Sequence, residues 1–403
     1  MKVERNYDPS DFDEIGIDEL KENLGLTIKQ DMVNKLITFF GFLSAYTGNN
    51  QLNISYRAPS STGKSYIPLE LSALFPKEDV IKYAYSSPTS FYHETGEWDN
   101  ENKVMRINLE RKILIFVDQP HDELLRRLRP LLSHDDKELI YKITDKREKY
   151  GIRTKTVIIR GFPSVTFCTG SLKVDEQEAT RMILLSPETS QEKIRESLFL
   201  KAEKEGNPLN YENWLQQDDR RKLLKARILA IKEENIQEII VENPEKIAEE
   251  FMRRNPKLKP RHTRDLGKLF SLIKVLALVN VWYRQRDLDN NLIANEKDIE
   301  NAFKLWNEIS ESQELGIPPY MLRLFNEVIK PAYLDANSQS DEKVGVARKQ
   351  IAAKHYEVYG TPIQDWLLRQ QILPALESAG LIIQEPSPSD KRIILTYIIS
   401  PPV

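Results

Sequence analysis

The chain has 403 residues, 40% of them apolar and 30% charged, an ordinary globular balance with room for two or three domains. A formal net charge of −3 excludes bulk attraction to nucleic acid, so any such contact must come from local basic patches. The single cysteine, Cys168 in an apolar run, excludes disulfide staples and fits a reducing cytoplasm; neither it nor the five histidines show metal-ligand spacing.

In chain order, residues 1–15 are polar and acidic, unlike a signal peptide. Residues 17–24 carry a helical pattern, and 29–47 predict an apolar-rich helix. Residues 52–56 alternate like a strand that runs straight into the loop Ala58-Pro59-Ser60-Ser61-Thr62-Gly63-Lys64-Ser65, and 64–74 predict a helix. Residues 112–117 are a continuous apolar run ended by Asp118, as expected of a strand covered on both faces. Residues 141–156 hold two alternating stretches around a charged turn with Gly151, the pattern of a β-hairpin. Residues 157–160 and 165–168 predict further strands. Residues 50–190 therefore predict an α/β fold on a parallel sheet.

Residues 191–313 read as helical throughout. The apolar stretch 269–283, interrupted by Lys274, falls short of the about 20 residues that cross a bilayer, which predicts a buried helix and no membrane partner. Gly316-Ile317-Pro318-Pro319 marks a boundary. Beyond it, 348–359 and 363–378 predict helices, and 381–383 and 392–399 predict a hairpin turning through Pro386, Pro388 and Asp390. Helix, helix, hairpin is the layout of a winged helix. The expected division is an N-terminal helical segment (1–48), a nucleotide-binding core (49–190), a helical lid (191–318) and a winged-helix domain (319–403). No internal repeat is visible.

Gly63-Lys64-Ser65 between a strand and a helix matches the end of the phosphate-loop signature. The loop 58–65 is expected to bind ATP, with backbone N–H groups of residues 60–65 wrapping the phosphates and Lys64 reaching the β- and γ-phosphates. The Ser65 hydroxyl is expected to ligate Mg²⁺, a hard cation that prefers oxygen. Ala58 and Ser61 stand where glycine is common. Asp118, at the tip of its apolar strand and 54 residues after Lys64, is expected to hold the metal's water shell. Gln119 follows where a general base is usual. An amide orients water but accepts no proton. Three explanations stay open: slow hydrolysis with a native Gln119, a base at Asp122 or Glu123, or a Glu→Gln exchange that traps ATP.

Downstream lie Gly161-Phe162-Pro163-Ser164-Val165-Thr166-Phe167-Cys168-Thr169-Gly170, then Glu178-Ala179-Thr180-Arg181-Met182, then Arg261-His262-Thr263-Arg264-Asp265-Leu266 opening a long helix, with Asn295-Glu296-Lys297-Asp298-Ile299-Glu300-Asn301-Ala302 closing the helical domain. Over residues 50–310 this order resembles the AAA+ ATPases, and within them the branch of the minichromosome-maintenance helicases and their mobile-element relatives. The resemblance implies a phosphate-loop parallel sheet with a helical lid. It implies Thr169 at the sensor-1 position, Arg181 as an arginine finger acting on the next subunit, and Arg264 or Arg261 as the sensor-2 arginine. It implies a homo-hexamer. The hairpin stands where that branch carries a pore hairpin, so Lys146, Arg147, Lys149, Arg153 and Lys155 are expected to track the phosphates of single-stranded DNA, with Tyr150 stacking on a base.

Bland readings of the same residues are a surface arginine at 181, a solvated basic patch around 261–264 and an exposed charged hairpin. In the C-terminal domain, 363–378 would be the recognition helix and 385–392 the wing. Lys391 and Arg392 suit phosphate, whereas Glu377, Glu385 and Asp390 dilute the charge, and a winged helix equally binds protein. The segment ahead of the phosphate loop is shorter than the DNA-binding collar of the cellular relatives, so self-loading on duplex DNA is not expected.

The expected function is an ATP-dependent hexameric DNA helicase or translocase acting in replication of a mobile element or its host. The alternative, favoured by Gln119, is an ATP-bound initiator, loader or switch with little hydrolysis. A metabolic kinase leaves the lid and the winged helix unexplained.

Overall fold

A computed structural model describes residues 8–84, 96–118, 122–134, 136–145, 153–338 and 344–399. The strands of the N-terminal half are β1 (Ile54–Arg57), β2 (Val80–Tyr83), β3 (Glu97–Asp99), β4 (Val104–Asn108), β5 (Ile113–Phe116), β6 (Glu138–Asp145), β7 (Arg153–Arg160), β8 (Ser164–Thr169) and β9 (Ile183–Leu185). Five form an all-parallel sheet in the order β2-β5-β8-β1-β9. The expected α/β fold with a parallel sheet is therefore present.

Both faces of this sheet are covered, which explains the unbroken apolar run at 113–116. Ile113 and Ile115 point into a core with Ile54, Tyr56, Phe39 and Leu272. Leu114 and Phe116 point the other way, against Leu124, Leu128 and Phe167. Helix Met32–Leu43 and the long helix His262–Val279 cover the first face; helix Asp122–Ser133 covers the second. The stretch read as a buried helix is part of His262–Val279, where Leu269, Leu272, Ile273 and Val275 are fully buried. Among the described residues no helix is long and apolar enough to cross a membrane.

A second sheet, β3-β4-β7-β6, was not foreseen. Its β6 and β7 are the arms of the expected hairpin, antiparallel from Glu138 opposite Arg160 to Asp145 opposite Arg153. β7 also pairs in parallel with β4 over residues 156–160, so the base of the hairpin is anchored in a wider sheet. Its Val157 and Ile159 join Ile107 in the second core.

Three boundaries differ from expectation. Helix 29–47 begins only at Met32, because Gln30 and Asp31 both hold φ 51°, outside the helical region. The helix after the phosphate loop spans Tyr66–Ser72, seven residues, rather than 64–74. The region 191–313 is not helical throughout: β10 (Ile239–Val241) and β11 (Leu292–Ala294) pair in parallel beside the helix His262–Val279.

The C-terminal residues form helices Pro319–Leu324, Lys330–Asn337 and Arg348–Tyr359, a helical stretch over 365–378, and a three-stranded antiparallel sheet of β12 (Val346–Ala347), β13 (Ile382–Pro386) and β14 (Ile394–Ile398) in the order β12-β14-β13. Helix, helix, hairpin is the layout expected. The module has its own core around Met321, Val328, Ile351, Leu368, Leu373 and Ile382, into which Leu172 of the N-terminal half inserts.

Candidate nucleotide site

The carboxyl ends of parallel strands are where open α/β sheets bind ligands. β1 ends at Arg57, and the chain then leaves the sheet as the loop 58–65. Ala58 is fully buried and its N–H donates to the Thr169 carbonyl at 3.4 Å. Two residues turn the loop back: Gly63 at φ 86° and Ser61 at φ 66°. Glycine reaches this region freely, whereas a serine there is strained by about 1 kcal/mol. The Thr62 hydroxyl donates to the Pro59 carbonyl at 2.9 Å, and the Tyr66 N–H donates to the Gly63 carbonyl at 3.0 Å as the helix begins. The following helix has only seven residues.

β8 lies between the phosphate-loop strand and the strand that leads to Asp118. On it, Cys168 is fully buried and its thiol donates to the Lys64 carbonyl at 3.4 Å. Burial pushes this thiol up to about 12; the charge of Lys64 pulls it down and that of Asp118 pushes it up. One thiol therefore feels both Lys64 and Asp118. Thr169, the next residue, is buried at the end of β8 opposite Arg57, and its hydroxyl oxygen accepts the Ser171 N–H at 3.0 Å. The loop, Thr169 and Asp118 thus share one edge of the sheet. Ser65 is half-buried and Asp118 is exposed.

Beside the loop is a cavity of about 1140 Å³. Pro59–Gly63 and Tyr66 line one wall, residues 27–31 and the helix Gln191–Gly206 a second, and the C-terminal module a third, through His355, Tyr359 and residues 361–367. Lys64, Ser65, Asp118 and Thr169 stand outside its lining.

The two arginines expected to act on phosphate lie elsewhere. Arg181 donates from Nε to the Ser133 hydroxyl at 2.6 Å and from Nη1 to the Gln177 carbonyl at 2.9 Å. Arg264 is exposed and donates to the Thr180 hydroxyl at 2.6 Å, so it abuts the residue before Arg181. Neither lines the cavity. Arg261 is committed to Asp265 at 2.8 Å and is nearly buried, which leaves Arg264 as the accessible member of that pair. Glu123, an alternative base, pairs with Arg127 one turn along its helix.

Gln119, Lys146, Arg147, Lys149 and Tyr150 lie outside the described residues. Arg153 opens β7. Lys155 sits 5.6 Å over the Trp98 ring of β3. In the C-terminal module, Arg392 pairs with Asp390 at 2.8 Å on the surface of the expected wing, and the start of the expected recognition helix lines the cavity while remaining partly exposed.

Sequence reasoning missed two groups. Arg57 is buried, pairs with Glu178 at 2.6 Å and donates to the carbonyls of Ser171 and Lys173, so it ties the segment after Thr169 to the phosphate-loop strand. Asp31, fully buried, pairs with Lys193, accepts from the Asn34 amide at 2.7 Å and from the Glu188 N–H at 2.8 Å, and lines the cavity. A charged residue closing a strand and an acid inside an apparent helix carry no periodic signal. Among the described residues no three His, Cys, Asp or Glu side chains converge as a metal cluster. No protein-family model matches the chain, and no curated protein matches its sequence.

Proposed function

We propose that the chain binds and hydrolyses ATP as an AAA+ motor of the minichromosome-maintenance type, a homo-hexamer that moves along single-stranded DNA. The observation that carries this reading is the strand order β5-β8-β1, which brings Asp118, Thr169 and the loop 58–65 to the carboxyl ends of three adjacent parallel strands, with Cys168 of β8 bonded to the Lys64 carbonyl. Three groups from three adjacent strands can then serve one phosphate chain.

In this reading the loop amides and the Lys64 amine hold the β- and γ-phosphates, a charge-assisted arrangement. Ser65 and Asp118 hold Mg²⁺, which when bound neutralises charge on the phosphate oxygens. Thr169 and Gln119 orient the attacking water. Arg181 and Arg264, brought close through Thr180, act on a neighbouring subunit's nucleotide. The hairpin β6–β7, with its basic tip, tracks the DNA backbone, and the C-terminal module is a winged helix.

Gln119 favours a second reading, an ATP-held initiator or loader with little turnover. Equilibrium binding of Mg-ATP to the parent and to Lys64→Ala tests the common ground: affinity is expected to fall by about 100-fold. DNA-stimulated hydrolysis with strand displacement then separates the readings. Turnover with unwinding identifies the motor, and tight binding without turnover identifies the switch. Equal affinity in the Lys64→Ala variant would sink both.

A further inference from the structure

The cavity beside the phosphate loop is walled partly by a module that the roles above leave without a part in nucleotide binding. We propose that the C-terminal module supplies the base-binding wall of the nucleotide site, so that the purine of bound ATP rests against Trp366 and joins the module to the core. This rests on the phosphate-loop reading and extends it to the other end of the nucleotide.

Four observations carry it. First, the phosphate loop and the segment 361–367 line the same cavity, whose volume of about 1140 Å³ exceeds the upper end of ordinary ligand pockets, about 1,000 Å³. Phosphates on the loop leave the remaining walls for the rest of the molecule. Second, two aromatic rings face this space from opposite modules. Tyr66, next to the loop, is 39% exposed, and Trp366 is 48% exposed. Among the described residues neither is stacked on another ring, and a nucleobase offers the flat π-face that such rings take. Third, Ile67, Ile194, Ile363 and Leu367 give the lining an apolar share on which a base can rest. Lys193, Lys201 and Lys204 border it from the second wall, each paired with an acid: Asp31, Glu205 and Glu70.

Fourth, the module is fixed to the segment that follows Thr169. Gly170 lines the cavity, and two residues on Leu172 is buried inside the core of the C-terminal module. The Leu172 N–H donates to the Gln371 side chain at 2.9 Å. Arg323 of the module donates to the Pro187 carbonyl, just after β9. The wall is therefore held in register with the phosphate edge, and a base bound there bridges two modules already tied at Leu172.

Within the segment, His355 is buried and hydrogen-bonded through Nδ1 to the Thr361 carbonyl at 2.8 Å, which fixes the turn that presents 361–367. The Trp366 indole N–H is engaged by Gln364, so the ring offers its face rather than its N–H to a ligand.

The test compares Mg-ATP with Mg-tripolyphosphate, which carries the phosphates and no base, on the full-length parent, Trp366→Ala, Trp366→Phe and Lys64→Ala. Trp366→Ala is expected to weaken ATP about tenfold and leave tripolyphosphate unchanged, since one stacked base is at stake. Trp366→Phe, which keeps a ring, is expected to retain most of the affinity and guards against a folding defect. ATP is expected to quench the fluorescence that the parent loses on the Trp366→Phe change. Equal ATP affinity in the parent and Trp366→Ala, or equal loss for both ligands, overturns the base wall while Lys64→Ala still reports on the phosphate loop. If Lys64→Ala binds both ligands as tightly as the parent, the phosphate-loop reading fails and takes the base wall with it.

Discussion

The thiol of Cys168 lies under the phosphate loop, 3.4 Å from the Lys64 carbonyl to which it donates. Its environment is apolar on β8, and the charge of Asp118 opposes a second anion there, so the thiol is pushed up to about 12. Few protons leave it at pH 8. Labelling by an aromatic disulfide reagent at that pH is expected to run about a thousandfold slower than for a free thiol and to become rapid in denaturant. The unfolded thiol ionises near its ordinary value while the folded one keeps its proton, so this group's contribution to stability is lost as pH rises from about 9 towards 12. Rapid labelling of the folded chain would mean that the sheet edge is open to solvent and that Lys64 is not seated on β8.

Arg57 and Glu178 form a second fixed link at the same edge, with side chains only 3% and 9% exposed. Burial lowers the Arg57 pKa and the Glu178 carboxylate raises it, so the guanidinium depends on its partner. Glu178→Gln leaves a buried charge without its counter-ion and is expected to cost about 3–5 kcal/mol in a denaturant titration. Replacing both residues by Met and Leu is expected to cost much less, because no lone charge remains. A Glu178→Gln change within the error of the parent would show the pair to be solvated.

The main sheet was legible because its strands obey simple rules. Ile113 to Phe116 alternate between two cores, and a strand buried on both sides reads as an unbroken apolar run. The turn at 58–65 was legible as a loop because Gly63 takes a positive φ and stands between a strand and a helix. The second sheet was not: Val104 to Asn108 places only Ile107 fully inside, and its partner β7 had been split between a hairpin arm ending at 156 and a separate strand at 157–160. Three-residue strands such as β10 and β11, set inside a helical region, are shorter than any periodic window resolves. Asp31 was read as helical because its neighbours are apolar; the φ of 51° that turns it towards Lys193 is set by tertiary contacts. The proximity of Arg264 to Arg181 joins residues 84 positions apart, measured from Thr180, and no local pattern encodes it.

Lys268 gives a pH dependence of the opposite sign to that of Cys168. Its amine is buried against the Asp265 carboxylate at 3.2 Å and the Met182 carbonyl at 3.1 Å. Burial lowers it to about 8, with Asp265 raising it and Arg261 lowering it. The folded chain releases this proton near pH 8, whereas the unfolded lysine holds it to about 10.5. Between those values the unfolded state binds more protons, so this group makes stability rise with pH. Lys268→Met is expected to flatten that rise, a difference on the order of 3 kcal/mol across the window. Denaturant midpoints at pH 7.5 and 10 for parent and variant measure it. Parallel pH profiles would show that the amine is hydrated in the folded chain.

Arg181 decides whether the molecule works alone or in a ring. Its guanidinium is held by Ser133 and the Gln177 carbonyl, with Arg264 bonded to the neighbouring Thr180, and neither arginine lines the chain's own cavity. If it completes the site of the next subunit, Arg181→Ala keeps Mg-ATP affinity and loses about 10³-fold in hydrolysis, the scale of an arginine finger. The Lys64→Ala variant loses binding but still offers a good arginine. Mixing two inactive variants, Arg181→Ala and Lys64→Ala, is then expected to restore part of the activity, because some interfaces pair an intact loop with an intact arginine. A mixture no more active than the sum of its parts would assign Arg181 to holding the end of the helix Asp122–Ser133 in place, through Ser133, and would remove the reason to expect a ring.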